Sequence, residues 1–243
     1  MGEEPLRWTA LTVRVIALVE GQTEETFVRR LLAPVLGAHG VAISATTCGP
    51  RRSQGGVPRW RKTERELLGL VKEDTGRRVT TMFDYYRLPG DWPGRREAVA
   101  GRSPGEKAKI LERAMQRRIA DSLGTDPGRS RFIPYIQMHE FEALLFSEAG
   151  TLAEVLTRDA DPQRTIRALR QVAGNFATPE EIDEGETTAP SKRILSLARH
   201  YQKVTDGNLA AARIGLETMR RECPHFAEWL SGLEALGQLH RVR

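Results

Sequence analysis

Residues 13–19, Val-Arg-Val-Ile-Ala-Leu-Val, form a short run that is apolar apart from Arg14 and stops abruptly at Glu20-Gly21. Apolar residues on both alternating sets read as a strand buried on both faces, which is the mark of a parallel sheet covered by helices on each side. The segment after Gly21 supplies such a helix. Val28, Leu31, Leu32, Val35 and Leu36 fall on one helical face, and Gly37 and Gly40 end it.

The same alternation continues. A second strand is predicted over 41–47, a Gly-, Pro- and Arg-rich loop over 49–61, and a helix over about 62–74. "RRVTTMFDYY" predicts a third strand ending in Asp84, and a basic helix follows at about 105–123. "RFIPYIQM" predicts a fourth strand, with "HEFEALLF" opening the next helix. Alternation of this kind argues an α/β fold: an open, mostly parallel sheet with helices on both faces. From about 149 strand signals cease. The expectation is an α/β domain over 1–148 and an all-helical C-terminal region over 149–243 packed on it, with a polar, acidic loop at 178–190.

Composition narrows the function classes. No apolar run approaches the roughly 18 residues of a membrane span, and "MGEEPLRWTA" lacks the pattern of a secretory signal. Cys48 and Cys223 are the two cysteines, too few for a four-Cys zinc site and expected as reduced thiols. A cytoplasmic location is expected. Net charge is +5, yet residues 51–118 hold eighteen Lys/Arg and nine Asp/Glu, so the rest of the chain carries a surplus of four negative charges. A basic middle in an otherwise acidic chain suits either a polyanion partner or a solvated, Arg-rich surface.

Three predicted strands end in carboxylates: Glu20 after the first, Asp84 after the third, Glu140 and Glu142 after the fourth. Ligands of open α/β sheets sit beyond the C-terminal strand edges, so these acids can converge. Gathered carboxylates repel one another unless a cation neutralises them, and hard oxygen donors suit Mg²⁺ or Mn²⁺. Glu24 and Glu25 lie in a first helical turn, where the macrodipole favours negative charge whatever the function. Glu24 also stands beside Glu20 as a candidate ligand. Asp84 alternatively caps the turn before Pro89. His139-Glu140 does not open a zinc-protease motif, since Ala143 stands where the second His is needed; His139 reads as a junction or supporting residue.

"VEGQTEETFVRRLL", the "MFDYY" strand end, "MHEFEALLF" and "TTAPSKRI" together resemble the Toprim-like family of nucleases and nuclease-related proteins. The likeness, over most of 13–200, is to a bacterial branch of unknown function related to the catalytic domain of overcoming-lysogenization-defect (OLD) nucleases. It implies a Toprim-like sheet and Mg²⁺- or Mn²⁺-dependent cleavage of nucleic acid in a phage-defence or toxin-like setting. It further implies an ATPase partner or a homodimer. Glu20 matches the family's first Glu, with Glu24 beside it, and Asp84 the first Asp of its Asp-x-Asp. Tyr86 stands in place of the second Asp. On this reading Glu20, Asp84 and Glu140 are catalytic, and Glu20, Glu24, Asp84, Glu140 and Glu142 hold the metal. A topoisomerase would need a further domain and a primase a Cys-rich one.

The basic residues then acquire a task. Arg51, Arg52, Arg59, Lys62, Arg87, Arg95, Arg96, Lys107 and Lys109 are expected to hold phosphates. Trp60 and Trp92 either stack on bases or form cation–π pairs with their Arg neighbours. Ser191, Lys192 and Arg193 either start a helix beside the site or are an ordinary helix start. The leading expectation is a metal-dependent nuclease. The alternatives are a non-catalytic nucleic-acid- or ATPase-binding module, which the missing second Asp favours, and an enzyme acting on small nucleotides.

Overall fold

The computed structural model describes residues 12–49, 57–101, 103–127, 130–157, 161–182, 185 and 187–241. Five parallel strands form the sheet: β1 (Val13–Val19), β2 (Val41–Thr47), β3 (Arg77–Asp84), β4 (Phe132–Ile133) and β5 (Ile136–Gln137), in the order β2-β1-β3-β4 with β5 also on β3. The chain is α/β with a helical C-terminal region. The first two strands begin and end at the predicted residues. The fourth does not run on as one strand, because Pro134 has no N–H to give a ladder. Two threonine hydroxyls of β3 bridge the break: Thr80 Oγ1 donates to Ile133 O (2.6 Å), and Thr81 Oγ1 donates to Tyr135 O while accepting Tyr135 N.

The first crossover carries α1 (Gln22–Phe27) and α2 (Ala33–Ala38), joined by a π-helical turn at Val28–Leu32. The widened turn lies just before Pro34, which cannot donate to Arg30 O. The second and third crossovers carry α3 (Trp60–Glu73) and α4 (Pro104–Leu123). Ser103 Oγ caps α4 by accepting Glu106 N, and Gly124, at φ 64°, ends it in the left-handed region that glycine tolerates.

Strand alternation sends the two side-chain sets to different cores. Val13, Val15, Ala17, Val19 and Met82 join α1, α2 and the C-terminal helices. Leu18, Val79, Phe83, Phe132 and Ile136 pack on α3 and α4. The predicted basic middle therefore covers one face of the sheet, and the C-terminal helices cover the other. Those helices are α5 (Ala149–Thr157), α6 (Gln163–Ala173), α7 (Pro190–Leu197), α8 (Asn208–Ile214), α9 (Leu216–Glu222) and α10 (Pro224–Arg241). Core packing runs unbroken across 148/149. Trp229 of α10 stacks on Tyr135 (centroids 4.2 Å apart, planes at 11°) and donates Nε1–H to Thr80 Oγ1 at 2.9 Å. Gly237 lies directly on the His39 carbonyl, an approach that leaves no room for a Cβ. Among the described residues no helix is long and apolar enough to cross a membrane.

This topology places the site. The connection after β1 moves to one side and the connection after β3 to the other, so the strand order switches between β1 and β3. A crevice opens at such a switch point, beyond the strand C-termini.

Candidate functional site

Four carboxylates stand at this crevice: Glu20 directly after β1, Glu24 in the first turn of α1, Asp84 at the end of β3, and Glu142 in the 3₁₀ segment Phe141–Ser147. That last segment was expected as an α-helix. The chain reaches it from β5 through His139, which at φ 59° is the one described non-glycine residue in the left-handed region. Such a conformation costs of order 1 kcal/mol and is held here by Tyr86 N–H donating to His139 O at 3.0 Å. His139 is thus a junction residue, and Tyr85 meets its ring edge-on. Asp84 Oδ1 accepts Phe141 N at 2.9 Å and fixes the start of the same segment.

Glu24 has two tasks. One oxygen accepts Gly21 N at 3.0 Å and caps α1, while the other faces the crevice. Glu25, one position on, is half-buried outside this contact. Glu140, expected as a catalytic acid, has one oxygen committed elsewhere: its Oε2 accepts Ser191 N at the start of α7 (2.9 Å), and it is Glu142 that meets Lys203. Ser191 accordingly contributes a backbone N–H rather than a side-chain cap.

The centre of the cluster is Lys203. Its Nζ lies 3.0 Å from Asp84 Oδ2, 3.3 Å from Glu142 Oε2 and 3.6 Å from Glu24 Oε1. Asp84 shares β3's side-chain set with Met82, so it points toward the C-terminal helices, and a residue of that region meets it. No local signal in "YQKVTDGN" announces Lys203; only the topology brings it here. A general argument foresees its charge, since buried acids require a cation.

The electrostatics follow from four acids facing one ammonium. Burial, then repulsion from Glu24, pushes the Glu20 carboxyl up to about 7, against the pull of Lys203, the Asp84 amide and Arg87. Burial likewise raises Asp84 and Glu142, opposed by Lys203. Burial alone would lower Lys203, but Asp84, Glu142 and Glu24 outweigh it and hold the ammonium charged.

Glu20 Oε2 is buried without a hydrogen-bond donor, and Glu142 Oε2 has only its ion pair with Lys203. A set of hard oxygen donors, with Glu20 Oε2 unsatisfied, fits a divalent cation such as Mg²⁺ in its chemistry. Its spacing is that of the lysine: among the described residues no three His, Cys, Asp or Glu groups stand closely enough around one point to hold a metal ion.

The expected phosphate-binding set divides. Arg59, Arg87 and Arg96 are exposed, and Arg87 lies within electrostatic reach of Glu20; Lys62 and Lys107 are half-buried. Arg95 is committed internally, donating to Tyr85 Oη (2.6 Å) and Leu88 O and lying over the Tyr85 ring. Lys109 pairs with Glu228 at 2.9 Å. Lys192 is exposed beside the Glu140–Ser191 contact, and Arg193 donates to Thr188 O. Arg51 and Arg52 lie outside the described residues. The expectation of base stacking by Trp60 and Trp92 is overturned. Both rings are buried in the α3/α4 core, 5.2 Å apart, with Trp92 also against Phe83 and donating to Pro58 O.

Of the family models, that described as Domain of unknown function (DUF4276) matches residues 19–234. The chain belongs to this family. The DUF4276 match begins at Val19 and spans every acid of the cluster together with Lys203. No curated protein and no solved structure matches this DUF4276 chain.

Proposed function

We propose that this DUF4276 protein is a Mg²⁺- or Mn²⁺-dependent nuclease that hydrolyses phosphodiester bonds. The observation that supports it is the convergence of Glu20, Glu24, Asp84 and Glu142 from four separate segments at the strand-order switch, with more negative charge than Lys203 neutralises. Glu142 supplies the acid that Tyr86 does not.

In this reading Glu20, Glu24, Asp84 and Glu142 hold the cation. The cation would supply charge for the scissile phosphate and acidify a bound water. Burial raises the Glu20 carboxyl to about 7, and a bound cation would favour its charged form. Arg87 stands at the mouth to meet a phosphate, and Arg59 and Arg96 extend the contact along the backbone in a salt-dependent way. A role in phage defence or a toxin-like system, a nucleic-acid substrate and an ATPase partner belong to the same proposal. Incubating DNA and RNA with wild type and Glu20→Ala in Mn²⁺ tests it. Cleavage by wild type and its loss in the variant are expected, and equal cleavage by both overturns the assignment.

One observation favours a second reading. Lys203 already pairs with three of the acids, and a site partly neutralised from within also suits a non-catalytic module that binds nucleic acid or an ATPase. Salt-sensitive nucleic-acid binding with no Mn²⁺ binding selects that reading.

A further inference from the structure

Resting on the metal-site reading above, we infer that Lys203 is a displaceable internal counter-ion: its ammonium occupies the position of the divalent cation and must leave for the cation to enter. Three observations carry this. First, Lys203 Nζ contacts three carboxylates from three different elements at 3.0, 3.3 and 3.6 Å. A magnesium ion needs oxygen ligands at about 2.1 Å, so the acids must close in by roughly an ångström, and they cannot do so around an ammonium.

Second, the lysine is carried on a strap anchored to the very elements that bear the acids. Tyr201 Oη donates to Glu142 Oε1 at 3.4 Å, and Asn208 Nδ2 donates to Thr23 O beside Glu24 at 3.2 Å. Between these anchors lies the π-helical turn Lys203–Gly207, whose Gly207 packs so closely that a Cβ would stand 2.7 Å from Tyr201 Oη. The strap is held at both ends, whereas the lysine side chain is not trapped.

Third, that side chain is 35% exposed although its three partners are at most 7% exposed. The ammonium therefore has a path to water by rotation of its four-carbon stem, with the strap in place. Exchange of one positive charge for two also answers the surplus of carboxylate at the centre. Cation binding and the Lys203 contact are thus mutually exclusive, and the docked strap regulates loading of the site.

The experiment measures Mn²⁺ binding by calorimetry for wild type and Lys203→Met, and the rate of Lys203 acylation in wild type with and without Mn²⁺ by mass spectrometry. The variant is expected to bind Mn²⁺ roughly tenfold more tightly, the scale of an ordinary coupling between competing ligands. Acylation of Lys203 is expected to speed up several-fold when Mn²⁺ is added, a readout that does not depend on the variant folding. Unchanged or weaker Mn²⁺ binding by the variant, or Lys203 protected by Mn²⁺, overturns the inference and leaves the metal reading standing. Absence of Mn²⁺ binding in both proteins overturns the two together.

Discussion

Lys203 Nζ lies 3.0 Å from Asp84 Oδ2, a contact made across 119 residues between the helical region and the end of a central strand. It joins the two halves of the chain at the point where the strand order switches, and it opposes the burial that raises the Glu20, Asp84 and Glu142 carboxyls.

The pH dependence of stability reports on that balance. Glu20 carries its proton to about pH 7 in the folded protein, against an ordinary value of 4.5. The folded state thus binds this proton more tightly than the unfolded chain. Glu20 is therefore harmless below about pH 4.5 and destabilises increasingly as pH rises from there to about 7, by on the order of 1–3 kcal/mol in full. Glu20→Gln in chelator is expected to raise Tm at pH 8 by clearly more than it does at pH 5. Thermal unfolding at the two pH values checks this, and a variant less stable than wild type at pH 8 contradicts it.

Glu180 is expected to matter for stability without touching the acid cluster. Its two oxygens accept the N–H groups of His225 and Phe226, each at 2.9 Å, and so cap the buried start of α10 from a distant loop. Glu180→Ala leaves both donors without partners and should cost about 2–3 kcal/mol. Urea unfolding measures the loss, and Glu180→Gln should recover part of it by keeping one acceptor.

The tryptophans and the arginines separate in the same assays. Trp92→Ala opens a cavity beside Trp60 and Phe83 and should cost about 3–5 kcal/mol. Arg87→Ala and Arg96→Ala, both exposed, should change stability by less than about 0.5 kcal/mol. They should weaken binding to a labelled oligonucleotide and flatten its salt dependence. Denaturation curves beside fluorescence anisotropy give both quantities.

Much of this architecture is legible in the chain. The seven residues before Glu20 announce a strand buried on both faces, and the strand-end acids locate the crevice because side-chain sequence and sheet topology agree there. Trp60 and Trp92 were legible only as aromatic residues among arginines. Their burial depends on α3 and α4 packing side by side, which no local pattern encodes. The sequence favoured Glu140 over Glu142 as catalytic, and that Glu142 meets Lys203 was not legible, since it depends on the left-handed turn at His139 and on α7 arriving to take Glu140. Lys203 lay in a polar stretch with no periodicity or motif, and its role comes from a long-range contact. The π-helical turn in the first helix was likewise masked by regular apolar spacing, though Pro34 stood in view.

The acids around Lys203 are proposed to hold a divalent cation. Isothermal calorimetry of Mn²⁺ binding to wild type and to Asp84→Asn tests this most directly. Saturable binding by wild type, weakened roughly tenfold or more in Asp84→Asn, is the expected result. Equal binding by the two proteins, or none by wild type, would contradict the account.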